Sequence, residues 1–126
     1  MQTKQVHKKF IGTIHWITPP IHSALTNAET QTGEIPRAIM IRNNLNLEWS
    51  KNAEGGIKLQ TKDNINYSGQ FSYEEDNYTI TGKVIARLYN NEKGCLLIGQ
   101  WFEEGYEFTW VVELKKVNKF ADEKNK

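Results

Sequence analysis

Apolar and polar side chains alternate residue by residue through run after run of this 126-residue chain, and a period of two answers to a strand with one buried face. Between 65 and 74, Ile65, Tyr67, Gly69, Phe71 and Tyr73 fall on one side and Asn66, Ser68, Gln70 and Ser72 on the other. From 78 to 89 the inner set is Tyr78, Ile80, Gly82, Val84, Ala86 and Leu88, against Thr79, Thr81, Lys83 and Arg87 outside. Between 106 and 114, Phe108, Trp110, Val112 and Leu114 oppose Glu107, Thr109 and Glu113. The run 93–102 is apolar on both sides, as in a strand covered twice or one whose outer face meets something else. Further strands are expected at 10–17, at 38–49 with a break near Asn43-Asn44, and at 57–61.

Short polar turns join these runs. Glu74-Glu75-Asp76-Asn77 and Asn90-Asn91-Glu92-Lys93 fit hairpins, and Gly105-Tyr106 has the glycine-first form of a type II′ turn. Consecutive strands are therefore expected to be antiparallel neighbours. Those turns set Tyr73 opposite Tyr78, Phe71 opposite Ile80, Gly69 opposite Gly82, Val84 opposite Gly99, Ile85 opposite Ile98 and Trp101 opposite Trp110. Every pair joins like faces, which a one-residue slip would destroy. Two segments lack the period: 19–36, read as a long loop, and 118–126, read as a frayed polar tail. No linker or shift of composition divides the chain, so 1–126 is read as a single domain.

Gly12, Gly69, Gly82 and Gly99 each lie on an inner face between large apolar residues, where a glycine marks a sharp bend or the close approach of another group. Recurrent bending favours an all-β antiparallel meander of six to eight strands coiled into a small up-and-down barrel, over a β-sandwich, with Trp101 expected to cover Gly82. The stretches Tyr67-Ser68-Gly69-Gln70-Phe71, Ile80-Thr81-Gly82-Lys83, Ile98-Gly99-Gln100-Trp101 and Phe108-Thr109-Trp110-Val111-Val112 resemble the strand motifs of the avidin and streptavidin family of calycin-type barrels. The resemblance covers the C-terminal half and implies a barrel of that type. The family's polar biotin-binding set has no residue-by-residue counterpart here, so biotin binding is not implied.

Sixteen basic and fifteen acidic residues leave a formal charge of +1 with both signs interspersed, unlike the one-sided footprint of a nucleic-acid binder. The start, MQTKQVHKKFIGT, is charged where a signal peptide needs an apolar run, and no stretch is long and apolar enough for a membrane helix, so a cytoplasmic protein without a membrane partner is expected. The lone Cys95 lies in an apolar run and reads as a buried structural thiol. His7, His15 and His22 are spaced on no common face, and neither a metal site nor a cofactor is expected. Glu103, Glu104 and Glu107 cluster near the last turn. Within that cluster Glu104 and Glu107 are the one candidate acid–base pair, against the plainer reading of a solvated turn, and no catalytic residue is assigned.

Trp16, Trp49, Tyr67, Phe71, Tyr73, Tyr78, Trp101, Phe108 and Trp110 are all expected to point inward, either as core or as the lining of a pocket. Tyr67, Tyr78, Trp101 and Trp110 are the candidate ligand-binding residues. Ile85, Tyr89, Leu96, Ile98, Phe102 and Val111 form a candidate interface on the outside of three adjacent strands. Two functions follow. One is a non-catalytic binding barrel holding a small, largely apolar ligand at an aromatic-lined mouth, with the long loop as a lid. The other is a protein-interaction module of inhibitor or immunity type, acting through the outer patch or the 19–36 loop. A homo-oligomer through the patch is compatible with both.

Overall fold

The computed structural model describes residues 7–18, 29–50 and 54–120. They form eight strands: β1 (His7–Thr18), β2 (Glu29–Ile41), β3 (Asn44–Ser50), β4 (Glu54–Thr61), β5 (Asn66–Glu75), β6 (Tyr78–Asn90), β7 (Gly94–Glu103) and β8 (Tyr106–Val117). Each strand pairs antiparallel with the next, and β1 pairs with β8, so the meander closes into a barrel and leaves no sheet edge. The barrel is the architecture expected; the sandwich is excluded by the β1–β8 seam.

In β5 to β8 the inward residues are those that the alternation selects; Ile35, in the stretch expected as loop, joins them. Ile14, Ile35, Leu45, Leu47, Ile57, Leu59, Phe71, Val84, Leu97, Trp101, Trp110 and Val112 are all fully buried in one core. Two inner-face expectations fail at strand ends. Ile65 lies in the turn before β5 and is exposed, and Tyr78, the first residue of β6, projects beyond the barrel rim with 73% of its surface in water. Alternation assigns a face but not a depth, so residues at a turn can carry the right parity and still have nothing to pack against.

The register differs from the expected one by two residues at all three C-terminal hairpins. Tyr73 pairs with Ile80, Phe71 with Gly82 and Gly69 with Val84. Val84 pairs with Trp101 and Ile85 with Gln100, while Ile98 lies beside Arg87. Trp101 pairs with Phe108, and Gly99 with Trp110. The cause lies in the turns. Asp76 and Asn77 both have positive φ (49° and 68°), as do Glu104 and Gly105 (50° and 82°), which makes both connections two-residue turns of type I′. The last turn is thus centred one residue earlier than Gly105-Tyr106. Phe71, not Trp101, covers Gly82.

β2 begins at Glu29, so the stretch 29–36 expected as loop is strand; 19–28 lies outside the described residues. Between Gly12↔Ile35 and Phe10↔Ala38 the register shifts, with Pro36 and Arg37 on β2 opposite the single Ile11 on β1. Proline brings no N–H to a ladder, and a bulge is where a strand interior tolerates it. The bulge lets Ile35 and Ala38, three apart, both point inward and so breaks the period of two. In the expected tail, Phe120 is buried, with the ammonium of Lys9 and the guanidinium of Arg37 over its ring at 5.4 and 4.3 Å; 121–126 lies outside the described residues.

The ends of odd-numbered strands and the starts of even-numbered ones share one mouth of the barrel. The opposite end is filled mostly by aliphatic side chains, with Phe10 and Tyr67, and carries a tied turn. There Thr61 N donates to Asn43 O at 3.0 Å, and Asp63 accepts backbone N–H bonds from Asn66 at 2.7 Å and Ile65 at 2.9 Å. Those two bonds, with the Asn66 side-chain amide, hold the Asp63 carboxyl well below the usual carboxylate range.

The inward glycines sit where strands come closest. A Cβ on Gly99 would fall on the backbone carbonyl of Ile85, whereas one on Gly56 would meet Leu47 O at an ordinary 3.6 Å. Chemical denaturation is therefore expected to show Gly99→Ala destabilised by ~1–3 kcal/mol. Gly56→Ala should be neutral or stabilised by up to about 1 kcal/mol.

Candidate functional site: the aromatic mouth

Strand direction gathers the large rings at one end. Trp16 lies near the end of β1, Trp49 near the end of β3, Tyr73 near the end of β5 and Trp101 near the end of β7, while Phe108 and Trp110 lie near the start of β8. Trp101 is the hub. It stacks on Phe71 with centroids 3.9 Å apart and planes at 17°, and meets Trp16, Trp49 and Trp110 edge to face at 5.5, 5.6 and 5.8 Å. Trp49 contacts Trp16 at 5.7 Å and Tyr73 at 5.6 Å. Each such pair contributes about 0.5–1.5 kcal/mol beyond the area it buries. Small residues leave room for the rings: Gly55 lies under the Trp49 indole and Gly33 beside Trp16.

The polar tips of Trp101 and Tyr73 converge on one carboxylate. Glu103, the last residue of β7, has inward parity and is half-buried. Its Oε1 accepts Trp101 Nε1–H at 2.9 Å and its Oε2 accepts the Tyr73 hydroxyl at 2.6 Å. Desolvation raises the Tyr73 phenol well above its ordinary pKa, and the hydrogen bond to Glu103 and the charges of Glu103, Glu75 and Glu104 raise it further. Tyr73 is thus a neutral donor at any physiological pH. Trp110 Nε1 donates to Ile85 O at 2.9 Å. Trp16 is different: its Nε1–H is buried and has no acceptor among the described residues.

Of the candidate ligand residues, the structure brings Trp101 and Trp110 together in this cluster and separates the other two. Tyr67 is buried at the far end of β5, paired with Thr61, and burial chiefly raises its phenol pKa, with smaller contributions from Cys95 and Asp63. Tyr78 stands in solvent. Trp16, Trp49 and Tyr73, expected inward but not among the candidate ligand residues, and Glu103, read as one of three turn carboxylates, stand at the same mouth. Tracing the meander's direction would have placed all four at one mouth, because alternate chain reversals fix which strand ends meet.

The other candidates are placed as follows. Glu104 lies in the turn and Glu107 on the outer face, both exposed, so the pair does not share a site with Glu103. The Gln100 amide, with its nitrogen toward β8, donates to Glu107 Oε2 at 3.0 Å and Phe108 O at 3.2 Å. Cys95 is buried at the aliphatic end; desolvation pushes its thiol up to about 11, against a smaller lowering from Lys8. Among the described residues no three His, Cys, Asp or Glu side chains are grouped to hold a metal ion. Ile85, Tyr89, Leu96, Ile98, Phe102 and Val111 all lie on the outer faces of β6, β7 and β8, and Ile85 and Tyr89 are each 46% exposed.

Comparison of the chain with protein-family models, curated proteins and solved structures returns no match. The closed eight-stranded meander is compatible with a small calycin-like barrel on its architecture alone.

Because Trp101 touches four rings and Tyr78 stands free, Trp101→Ala is expected to cost ~3–5 kcal/mol. Tyr78→Ala should stay within about 0.5 kcal/mol of the parent. Urea denaturation followed by circular dichroism separates the two.

Proposed function

We propose that the chain is a non-catalytic binding barrel whose aromatic mouth takes a small, largely apolar ligand carrying one hydrogen-bond acceptor. The observation that carries this reading is Trp16 Nε1–H, a buried donor without an acceptor among the described residues, at the same end as the carboxylate-tied rings of Tyr73 and Trp101. A buried donor left unpaired costs about 1–3 kcal/mol, and a ligand oxygen that meets it recovers that cost on binding. Eight-stranded barrels have an interior wide enough for side chains or for one small ligand at the mouth. Among the described rings of this end, Trp16, Tyr73 and Phe108 are only partly buried, which leaves apolar surface on them for a ligand to cover.

Native mass spectrometry of the protein purified gently from its own host tests the reading. The expected result is a stoichiometric small-molecule adduct, reduced roughly tenfold in occupancy by Trp16→Phe, which keeps an aromatic ring and removes the donor. A wild-type spectrum without any adduct, together with no response of the tryptophan fluorescence to acetophenone or cyclohexanone as neutral carbonyl probes, contradicts it.

A second reading, a protein-interaction module, has its own support in the apolar outer faces of β6 to β8, where Ile98 and Phe102 are 39% and 37% exposed.

A further inference from the structure

The outer faces of β6, β7 and β8 form a patch whose charges are ordered by strand. Reading across the ladder, one row is Lys83, Phe102, Glu107; the next Ile85, Gln100, Thr109; then Arg87, Ile98, Val111; then Tyr89, Leu96, Glu113. The central strand thus presents Leu96, Ile98 and Phe102 with a single polar interruption. The β6 border carries both cations of the patch and the β8 border both carboxylates.

We propose that this face pairs with the same face of a second copy of the chain, about a two-fold axis lying along β7. The charge order selects that axis. A two-fold perpendicular to the strands in the interface plane would set β6 against β6 and β8 against β8, like charge on like. The axis along β7 sets β6 against β8 of the second copy at the same height along the strands. Lys83 then faces Glu107 of the second copy, and Tyr89 and Arg87 lie on the side of Glu113 of the second copy, a carboxylate whose Oε2 already accepts Thr13 Oγ1 at 3.5 Å and lies 3.9 Å from His15 Nε2 in its own barrel, so the Lys83–Glu107 pair carries the complementarity. Along the axis itself Leu96, Ile98 and Phe102 each meet their own equivalents, as an isologous interface requires. A barrel is convex, so two copies touch first along one strand, and the strand on the contact line is the apolar one. The flanking positions, where the surfaces diverge, carry side chains long enough to cross the gap. The Gln100 amide, which holds Glu107 Oε2 at 3.0 Å, keeps that carboxylate over the patch.

Three strands' width of contact is at the small end for a specific interface, so dissociation constants on the order of micromolar are expected. This inference does not depend on the mouth binding a ligand.

Sedimentation velocity from about 1 μM to about 1 mM protein tests it, spanning the range in which a small interface assembles. Wild type is expected to pass from monomer to dimer. Ile98→Glu, which sets two carboxylates together on the axis, should remain monomeric, and Lys83→Glu or Glu107→Lys alone should weaken dimerisation tenfold or more. The double variant Lys83→Glu/Glu107→Lys should recover it, because the swapped charges again face each other. Within one barrel Lys83 and Glu107 are separated by the whole width of β7, so thermal melting should show all four variants folded, with the two that carry Glu107→Lys lowered only by the loss of the exposed Gln100 bond. A wild type that stays monomeric at the highest concentration overturns the proposal and leaves the patch to a different protein. A dimer indifferent to Ile98→Glu, or one that the double variant fails to restore, overturns it as well.

Discussion

At Gly12, Gly69, Gly82 and Gly99 the backbone carbonyl of a neighbouring strand occupies the space that any other residue would give to its Cβ. The carbonyls belong to Glu113, Lys58, Phe102 and Ile85 respectively, so the close approaches lie on the β1–β8, β4–β5 and β6–β7 seams. A strand that bends inward at such a point lets eight strands of modest length wrap into a closed cylinder. A side chain there would force the seam apart. Closure in turn removes every sheet edge and fixes how far the interior extends. The space freed above the glycines is taken by rings: Phe71 lies over Gly82, and Trp101 stacks on Phe71.

From that constraint the barrel acquires two unlike ends. The end holding Leu45, Leu59, Leu97, Cys95 and Leu114, with Phe10 and Tyr67, is mostly aliphatic and has no tryptophan, and its turn is tied by Thr61 and Asp63. The other end concentrates the indoles and places Glu103 where two ring donors reach it. A carboxylate that accepts bonds from Trp101 and Tyr73 fixes both rings in orientation, since each ring can turn only by giving up a charge-assisted bond. The rigid end is thus also the polar-tipped one, and there the indole N–H of Trp16 is buried with no acceptor among the described residues. On the proposed reading, a ligand's acceptor would meet rings already held in place, with Trp16 Nε1–H as a donor that has no acceptor among the described residues.

Faces were legible in the sequence because a period of two is a direct consequence of strand geometry, and the buried set of β5 to β8 follows from it apart from the exposed Tyr78. Register was not, since a shift of two residues preserves every face; Tyr73 opposite Ile80 satisfies the inner-to-inner test as well as Tyr73 opposite Tyr78 does. Only the turn conformation separates the two, and Asp76, Asn77 and Glu104 adopt positive φ without a glycine to announce it. The first part of β2 was hidden by Pro36, whose bulge sets Ile35 and Ala38 three apart on one face, and by a run of exposed polar residues before it. At the site, the rings were legible as inward but their depth was not. Tyr67 and Trp101 share a parity and lie at opposite ends, and Glu103 reads as one more turn carboxylate until its strand end is set beside Tyr73.

The aromatic mouth holds the buried Trp16 donor with no acceptor among the described residues, and the indole region of a proton–nitrogen correlation spectrum reads that state directly. Three indole N–H signals can be assigned by Trp→Phe replacement at 16, 101 and 110. Slow solvent exchange is expected for all three, with Trp101 and Trp110 shifted downfield by their oxygen acceptors and Trp16 upfield of both. A Trp16 signal that exchanges rapidly, or that lies downfield with the other two, would contradict it, for then the donor is either exposed or already satisfied and the mouth has nothing to offer a ligand's acceptor.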